Sequence, residues 1–191
     1  PYCCGQLVRL ANELPRVHHA GAEVVAMVVD PEGRNVAMAD RWHLPFRVVS
    51  DPLGERFLRP LDLWNADERD GIAVPAILVI GPQGEEVFRV CGRDFADRIS
   101  DEDALSAIEK QGYATLDPPP PIWQSQVEPE VDRGAYKAES FGPYFRGNRF
   151  GALALSTRVN DPTALAEIKA HEQMSASFLA AWKARREAAR P

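Results

Sequence analysis

Residues 22–29 read AEVVAMVV, seven apolar or small side chains interrupted only by Glu23. Successive strand residues point to opposite faces, so a run apolar at consecutive positions suits a strand covered on both sides. Such strands belong to parallel sheets flanked by helices. A second run, PAILVIG (75–81), is of the same kind. Between them, Asp30 and Pro31 close the first run, EGRNVAMADRW predicts a helix, and LPFRVVS predicts a short strand ended by the turn DPLG (51–54). GPQG after the second run predicts a tight turn, and EEVFRVC (85–91) alternates as a half-buried hairpin partner. Ahead of all this, Leu7, Leu10, Leu14 and Val17 recur at helical spacing from Gly5 to His19. After it, SDEDALSAIEKQG has a capping serine, an acidic first turn and a terminal glycine, which predicts another helix. Parallel strands joined through a helix and finished by an antiparallel pair imply an α/β sandwich with a mixed sheet.

The totals narrow the function classes. The chain has 191 residues, 45% hydrophobic, with a net charge of -6, so phosphate-rich partners and anionic membranes meet a repulsive long-range field. The longest apolar run, IAVPAILVI (72–80), is of strand length and contains a proline, which argues against a membrane-spanning helix. Three cysteines without a C-x2-C pair support neither a disulfide framework nor a zinc site. His18, His19, His43 and His171 have no metal-ligand spacing, so no metal and no cofactor is expected.

Composition divides the chain into a domain over 1–112, a proline-rich connector over 113–133 that includes LDPPPPIWQSQ, and a C-terminal extension over 134–191. In the extension, Asp161 as cap and Pro162 at the first position open a long helix with basic residues near its end. Its stripe of Leu165, Ile168, Phe178, Leu179 and Trp182 must bury against the rest of the chain or against a second copy, giving a homodimer through the C-terminal helix. SFGPYFRGNRFG (140–151) is an aromatic cluster without an evident chemical role.

Cys3 and Cys4 are the candidate catalytic residues. They stand at the start of the first predicted helix, where unpaired backbone N–H groups and the positive dipole end favour a thiolate. A thiolate is the nucleophile of disulfide exchange and of peroxide reduction. Burial as inert core thiols is the other reading of the pair, and it is the expected one for Cys91 at the end of a hairpin strand. Pro75 stands where a strand begins and no ladder N–H is required. The Val74–Pro75 bond is open to both cis and trans on local sequence.

PYCCGQL, AEVVAMVVDPEGRNVAMADRWHLPFRVVSDPLG, VPAILVIGPQG and GRDFADRIS (92–100), in this order over residues 1–112, resemble the redoxin group of the thioredoxin-like superfamily. More narrowly, they resemble the peroxiredoxin-like alkyl hydroperoxide reductase/thiol-specific antioxidant (AhpC/TSA) family, in which a strand runs into W-C-P-Y-C-x-x-Q-L. The resemblance implies a thioredoxin-like three-layer sandwich, here N-terminally truncated. The first motif cysteine would precede Pro1, and the strand leading to it would belong in the middle of the sheet, between the two apolar runs. It makes Cys3 the second, resolving cysteine and Cys4 an addition to the pattern. A Cys3–Cys4 bridge is disfavoured because adjacent Cα atoms stand only about 3.8 Å apart.

The resemblance further implies substrate contacts at Pro1, Tyr2, Val74 and Pro75, with Pro75 in the place of the cis-proline of redoxin-type reductases. Peroxiredoxins carry an arginine at that place. This departure shifts the expected activity toward thiol–disulfide exchange with a thiol reductant or disulfide partner, ahead of hydroperoxide reduction. Arg93 could bring positive charge to the site, although structural ion pairing is the expected role of GRDFADR. A non-catalytic protein-binding module on the same fold is the competing class. The odd cysteine count fits a reducing compartment, and a cytoplasmic location is the expectation.

Overall fold

The computed structural model describes residues 1–98, 100–122 and 125–189; Ile99 of GRDFADRIS, Trp123 and Gln124 of the connector, and the last two residues lie outside the described residues. The chain forms two compact units, one of Glu13–Arg133 and one of Pro1–Asn12 with Gly134–Pro191. The division falls within the first helix, α1 (Tyr2–His19).

In the Glu13–Arg133 unit, β1 (Val25–Val28) leads through α2 (Glu32–Trp42) to β2 (Arg47–Ser50). β1 and β2 pair in parallel, with Val25 opposite Arg47 and Val28 opposite Ser50. The helix coincides with EGRNVAMADRW. It buries Trp42 and Asn35, whose amide donates to the Asp30 carbonyl at 3.0 Å and so ties the helix start to the end of β1. A small antiparallel pair, β3 (Trp64–Asn65) with β4 (Ile72–Ala73), precedes the hairpin of β5 (Ala76–Ile80) and β6 (Glu86–Cys91). α3 (Asp101–Glu109) starts at Ser100, whose hydroxyl accepts the Glu102 N–H. Leu14 and Val17 of α1 pack on Leu105 of α3, while Ala104 and Ile108 of α3 pack on Val79, with Ile77, Val87 and Phe88 alongside. On the exposed side of α1 and α3, the Arg16 guanidinium spans Glu102 and Glu109.

Where one mixed sheet is expected, the described residues form three separate two-stranded sheets. β1 has β2 as its hydrogen-bonded neighbour and β5 has β6, so each carries one edge with no ladder partner among the described residues. Nor are the two apolar runs covered on both faces: Val25 is 50% and Ile80 48% exposed. Cys91, expected to be buried, is exposed. It is the last residue of β6, an edge strand, and pairs with Ala76 at the open end of the hairpin.

The turn after β2 is held by a buried carboxylate. Asp51 is 2% exposed and accepts the N–H groups of Phe57 (2.9 Å), Leu58 (3.0 Å) and Arg56 (3.3 Å). Burial pushes its pKa up, but these three donors and the nearby Arg56 charge outweigh that and hold it below the ordinary value. A depressed folded-state pKa contributes stability above the unfolded value of about 3.9 and loses it as pH falls through the folded value. Asp51→Ala is therefore expected to cost about 1–3 kcal/mol at neutral pH. In urea titrations the gap from the parent should narrow as pH drops below about 4.

In the other unit, α4 (Ala138–Ser156) and α5 (Pro162–Ala188) form an antiparallel hairpin, joined by the first three turns of α1. Phe145 meets Phe178 at 5.1 Å between ring centroids, and Phe141 meets Trp182 at 5.7 Å. The α5 start is as expected, with Asp161 accepting the Ala164 N–H at 2.8 Å and Pro162 first. Of its apolar stripe, Phe178 and Trp182 are buried within this unit. α4 contains the aromatic cluster, for which the sequence reading named no secondary structure. Gly142, Pro143, Gly147 and Gly151 lower helix propensity, and packing of Phe141, Phe145 and Ala152 on one stripe overrides it. No helix among the described residues is long and apolar enough to cross a membrane.

Candidate functional site

Consecutive helix residues point about 100° apart, so two adjacent cysteines in one turn cannot share an environment. Tyr2, Cys3 and Cys4 form the first turn of α1, whose acidic side chains number none. Cys4 is buried, 9% exposed, whereas Cys3 is exposed; neither is in a disulfide. Cys4 and the Tyr136 hydroxyl interact electrostatically. Burial first, and then the Cys4 and Tyr144 charges, push the Tyr136 hydroxyl well above the usual phenol range, so it stays protonated.

The turn is fixed from both sides. Tyr2 is 5% exposed, packed edge-on against Phe145 at 5.5 Å, with its hydroxyl donating to Asn148 Oδ1 at 2.9 Å and standing 3.4 Å from His171 Nε2. Gly5 touches the ring of Phe178, where a Cβ would lie 2.6 Å from Cδ2. Further along, Asn12 donates to the Ala181 carbonyl at 2.9 Å and Arg9 stacks over Phe178. The helix tip thus presents Pro1 and Cys3 outward and holds Tyr2 and Cys4 inward. Sequence reasoning missed Gly5, Tyr136 and Phe178 as supports. The signal was the aromatic density of AYKAESFGPYF, which could not be paired with the first turn from spacing alone.

Val74 and Pro75 belong to the Glu13–Arg133 unit. Contrary to the cis geometry that the resemblance implied, the Val74–Pro75 bond is trans; the cis bond among the described residues is Asp117–Pro118. The reason is the ladder: a trans bond carries the chain straight into β5. The Pro75 carbonyl accepts the Gly92 N–H at 2.7 Å, directly beyond the Ala76–Cys91 pair. The Val74 N–H donates to the Leu63 carbonyl at 2.8 Å. Both backbone groups flanking this bond are therefore engaged. Gly92 is required here, because a Cβ would sit 2.3 Å from the Asp97 carbonyl oxygen.

Arg93 has the structural role expected of it. Its Nε and backbone N–H both donate to Asp97 Oδ2, at 2.7 and 2.9 Å, and hold that carboxyl below its ordinary range. The histidines serve locally: His18 pairs with Glu23, His43 ends α2 in the left-handed region (φ 52°), and His171 joins the Tyr2–Asn148 contact. Among the described residues no group of three or more His, Cys, Asp or Glu could hold a metal ion.

In chemical terms the site offers one accessible sulfur at a helix N-terminus whose first turn carries no acidic side chain, fixed by buried aromatic packing. No curated protein matches the chain. The AhpC/TSA family model matches residues 1–86, a stretch that includes the cysteine turn, the parallel β1–α2–β2 unit and β5. Over those residues the chain is similar to the AhpC/TSA family, and its mixed helices and small sheets are consistent with an α/β thioredoxin-like fold.

Proposed function

We propose that the chain is part of a thiol-dependent antioxidant oxidoreductase that works by thiol–disulfide exchange, with Cys3 as the resolving cysteine. The observation that carries this reading is the exposed Cys3 sulfur at the tip of α1 in a P-Y-C-x-x-Q-L context within the family-matched segment. In this scheme the residue before Pro1 is the first motif cysteine. Its thiolate attacks a substrate disulfide, and one substrate thiol leaves with a proton from water. The Cys3 thiolate then attacks the mixed disulfide, forming a bond to the first cysteine's sulfur and expelling the second substrate thiol. The substrate is reduced by two electrons, the cysteine pair is oxidised by two, and an external thiol reductant restores the pair. The unpaired edges of β1 and β5 support placing the strand that leads into this motif between them, which would complete a three-layer sandwich.

Hydroperoxide reduction is the second reading, and one observation favours it. The Val74 N–H and Pro75 carbonyl are both engaged, so neither is open to pair with a peptide substrate, whereas a small hydroperoxide needs no such pairing. The first cysteine's thiolate would then attack the O–O bond, releasing water or an alcohol, and Cys3 would condense with the resulting sulfenic acid and release water.

The discriminating experiment begins with the residue encoded before Pro1. Cysteine there, and faster dithiothreitol-driven insulin reduction than peroxide consumption by protein carrying that residue and its preceding strand, is the expected result. A dominant peroxidase rate selects the second reading. Serine or glycine at that position selects a non-catalytic binding module.

A further inference from the structure

The turn that carries Cys3 has no capping side chain of its own. None of Pro1, Tyr2, Cys3 and Cys4 is a Ser, Thr, Asp or Asn, the types that close helix starts, and the Gly5 N–H donating to the Pro1 carbonyl at 2.9 Å closes the turn. First turns of helices fray unless tertiary contacts hold them. Here those contacts come from α4 and α5. The Tyr2 ring stands among Phe145 (5.5 Å), His171 (5.9 Å) and Tyr144 (6.0 Å between centroids). Its hydroxyl enters a three-way polar contact: it donates to Asn148 Oδ1 at 2.9 Å, and His171 Nε2 lies 3.4 Å from each of these two oxygens. Asn148 Nδ2 donates to the Tyr144 carbonyl at 3.0 Å, which fixes the amide with Oδ1 toward Tyr2. Both oxygens therefore face the imidazole as acceptors, so its proton belongs on Nε2. Asn148 and His171 lie beyond residues 1–86, the stretch that the family model matches.

We propose that Asn148 and His171 are positioning residues for Cys3: by holding Tyr2 they keep the cysteine turn helical, and this sets how readily Cys3 closes a disulfide with the cysteine placed before Pro1. The proposal rests on the redox reading for that first cysteine. Neither residue touches a substrate; both act through the Tyr2 hydroxyl. The residue before Pro1 and Cys3 stand at the two ends of one turn, so closure needs that turn in a single form. A turn held in place offers the second sulfur at high effective concentration, whereas a frayed turn spreads the pair over many separations. Closure with glutathione disulfide balances simply. The two cysteines lose two electrons and two protons, one sulfur–sulfur bond forms between them, and two glutathione thiols are released. The C-terminal helices thereby become part of the redox site, which the family-matched segment alone would leave without its clasp.

The clasp is tested on the reduced chain by amide hydrogen exchange at Gly5, whose N–H closes the turn. Tyr2→Phe, which keeps the ring, Asn148→Ala and His171→Ala should each speed this exchange at least about threefold, the scale of one lost hydrogen bond. His171→Gln, which returns an N–H to the same place, should restore the parent rate. Adding His171→Ala to Tyr2→Phe should add less than its effect alone, because both remove one contact. The positioning role is tested in protein carrying the upstream cysteine and its preceding strand, equilibrated with glutathione redox mixtures. The same three variants should lower the equilibrium constant for closure at least about threefold, with His171→Gln again restoring it. A purely structural role would shift the urea midpoint and leave this constant of the native protein unchanged. Unchanged Gly5 exchange in all three variants overturns the proposal, and so does faster exchange with an unchanged closure constant. A parent pair that forms no disulfide defeats the redox reading and the proposal with it. Gly5 exchange, which needs no second cysteine, tells that failure from failure of the clasp.

Discussion

Phe178→Ala is expected to destabilise the protein by about 3–5 kcal/mol, the range for deleting a fully buried aromatic ring. Phe178 is 0% exposed and lies where α1, α4 and α5 meet. Phe145 packs on its ring edge-on, Arg9 lies 5.0 Å from its centroid, and Gly5 gives it room. Alanine leaves a cavity that three helices must collapse to fill, and helix geometry limits how far they can. The glycine provides an internal control. Gly5→Ala alone drives a methyl group to within 2.6 Å of the ring and is expected to cost about 1–3 kcal/mol, partly offset by alanine's helix propensity. In the Phe178→Ala background the same methyl enters vacated space. The double variant should then be more stable than the sum of the single costs predicts. Denaturant titration of the four proteins measures this coupling, and strict additivity would show that Gly5 and Phe178 do not share the contact.

The second large effect concerns the cysteines. Iodoacetamide applied to the native, reduced protein should modify Cys3 and Cys91 and spare Cys4. Cys3 and Cys91 are exposed, whereas Cys4 is buried. Labelling of a buried thiol requires local opening, and each 1.4 kcal/mol of opening free energy slows it about tenfold. A helix turn anchored by Tyr2, Gly5 and Phe178 should slow Cys4 by at least about 100-fold relative to Cys3. Peptide mass spectrometry over a time course reads the three rates separately. Phe178→Ala should raise the Cys4 rate and leave Cys91 unchanged, because Cys91 lies on the β5–β6 hairpin of the other unit. Equal native rates at Cys3 and Cys4 would mean the first turn is not packed as described. The result also bears on the redox proposal, since only an accessible sulfur can resolve a mixed disulfide.

The elements whose signals are local were legible. The helix 32–42, the hairpin around GPQG and the cap at Asp161 each follow from a few neighbouring residues, and the structure has them where the sequence places them. Features that depend on distant segments were not legible locally. The 140–151 cluster is helical because Phe141 and Phe145 bury against α5, a long-range contact that outweighs its glycines and proline. Cys91 is exposed because β6 is an edge strand, and edge status depends on which strands pair.

The candidate site divides the same way. The sequence alone determined that two thiols stand at a helix start, and that the segment around them is ordered as in the AhpC/TSA family. Tertiary structure decided which thiol faces solvent: residues more than 130 positions away cover one side of the helical turn and leave the other open. It also decided the Val74–Pro75 geometry, because the Pro75 carbonyl is drawn into a ladder with Gly92. Side-chain type and local spacing set what a residue can do chemically. Which of its faces meets water depends on contacts between segments far apart in the chain, and no local pattern encodes those.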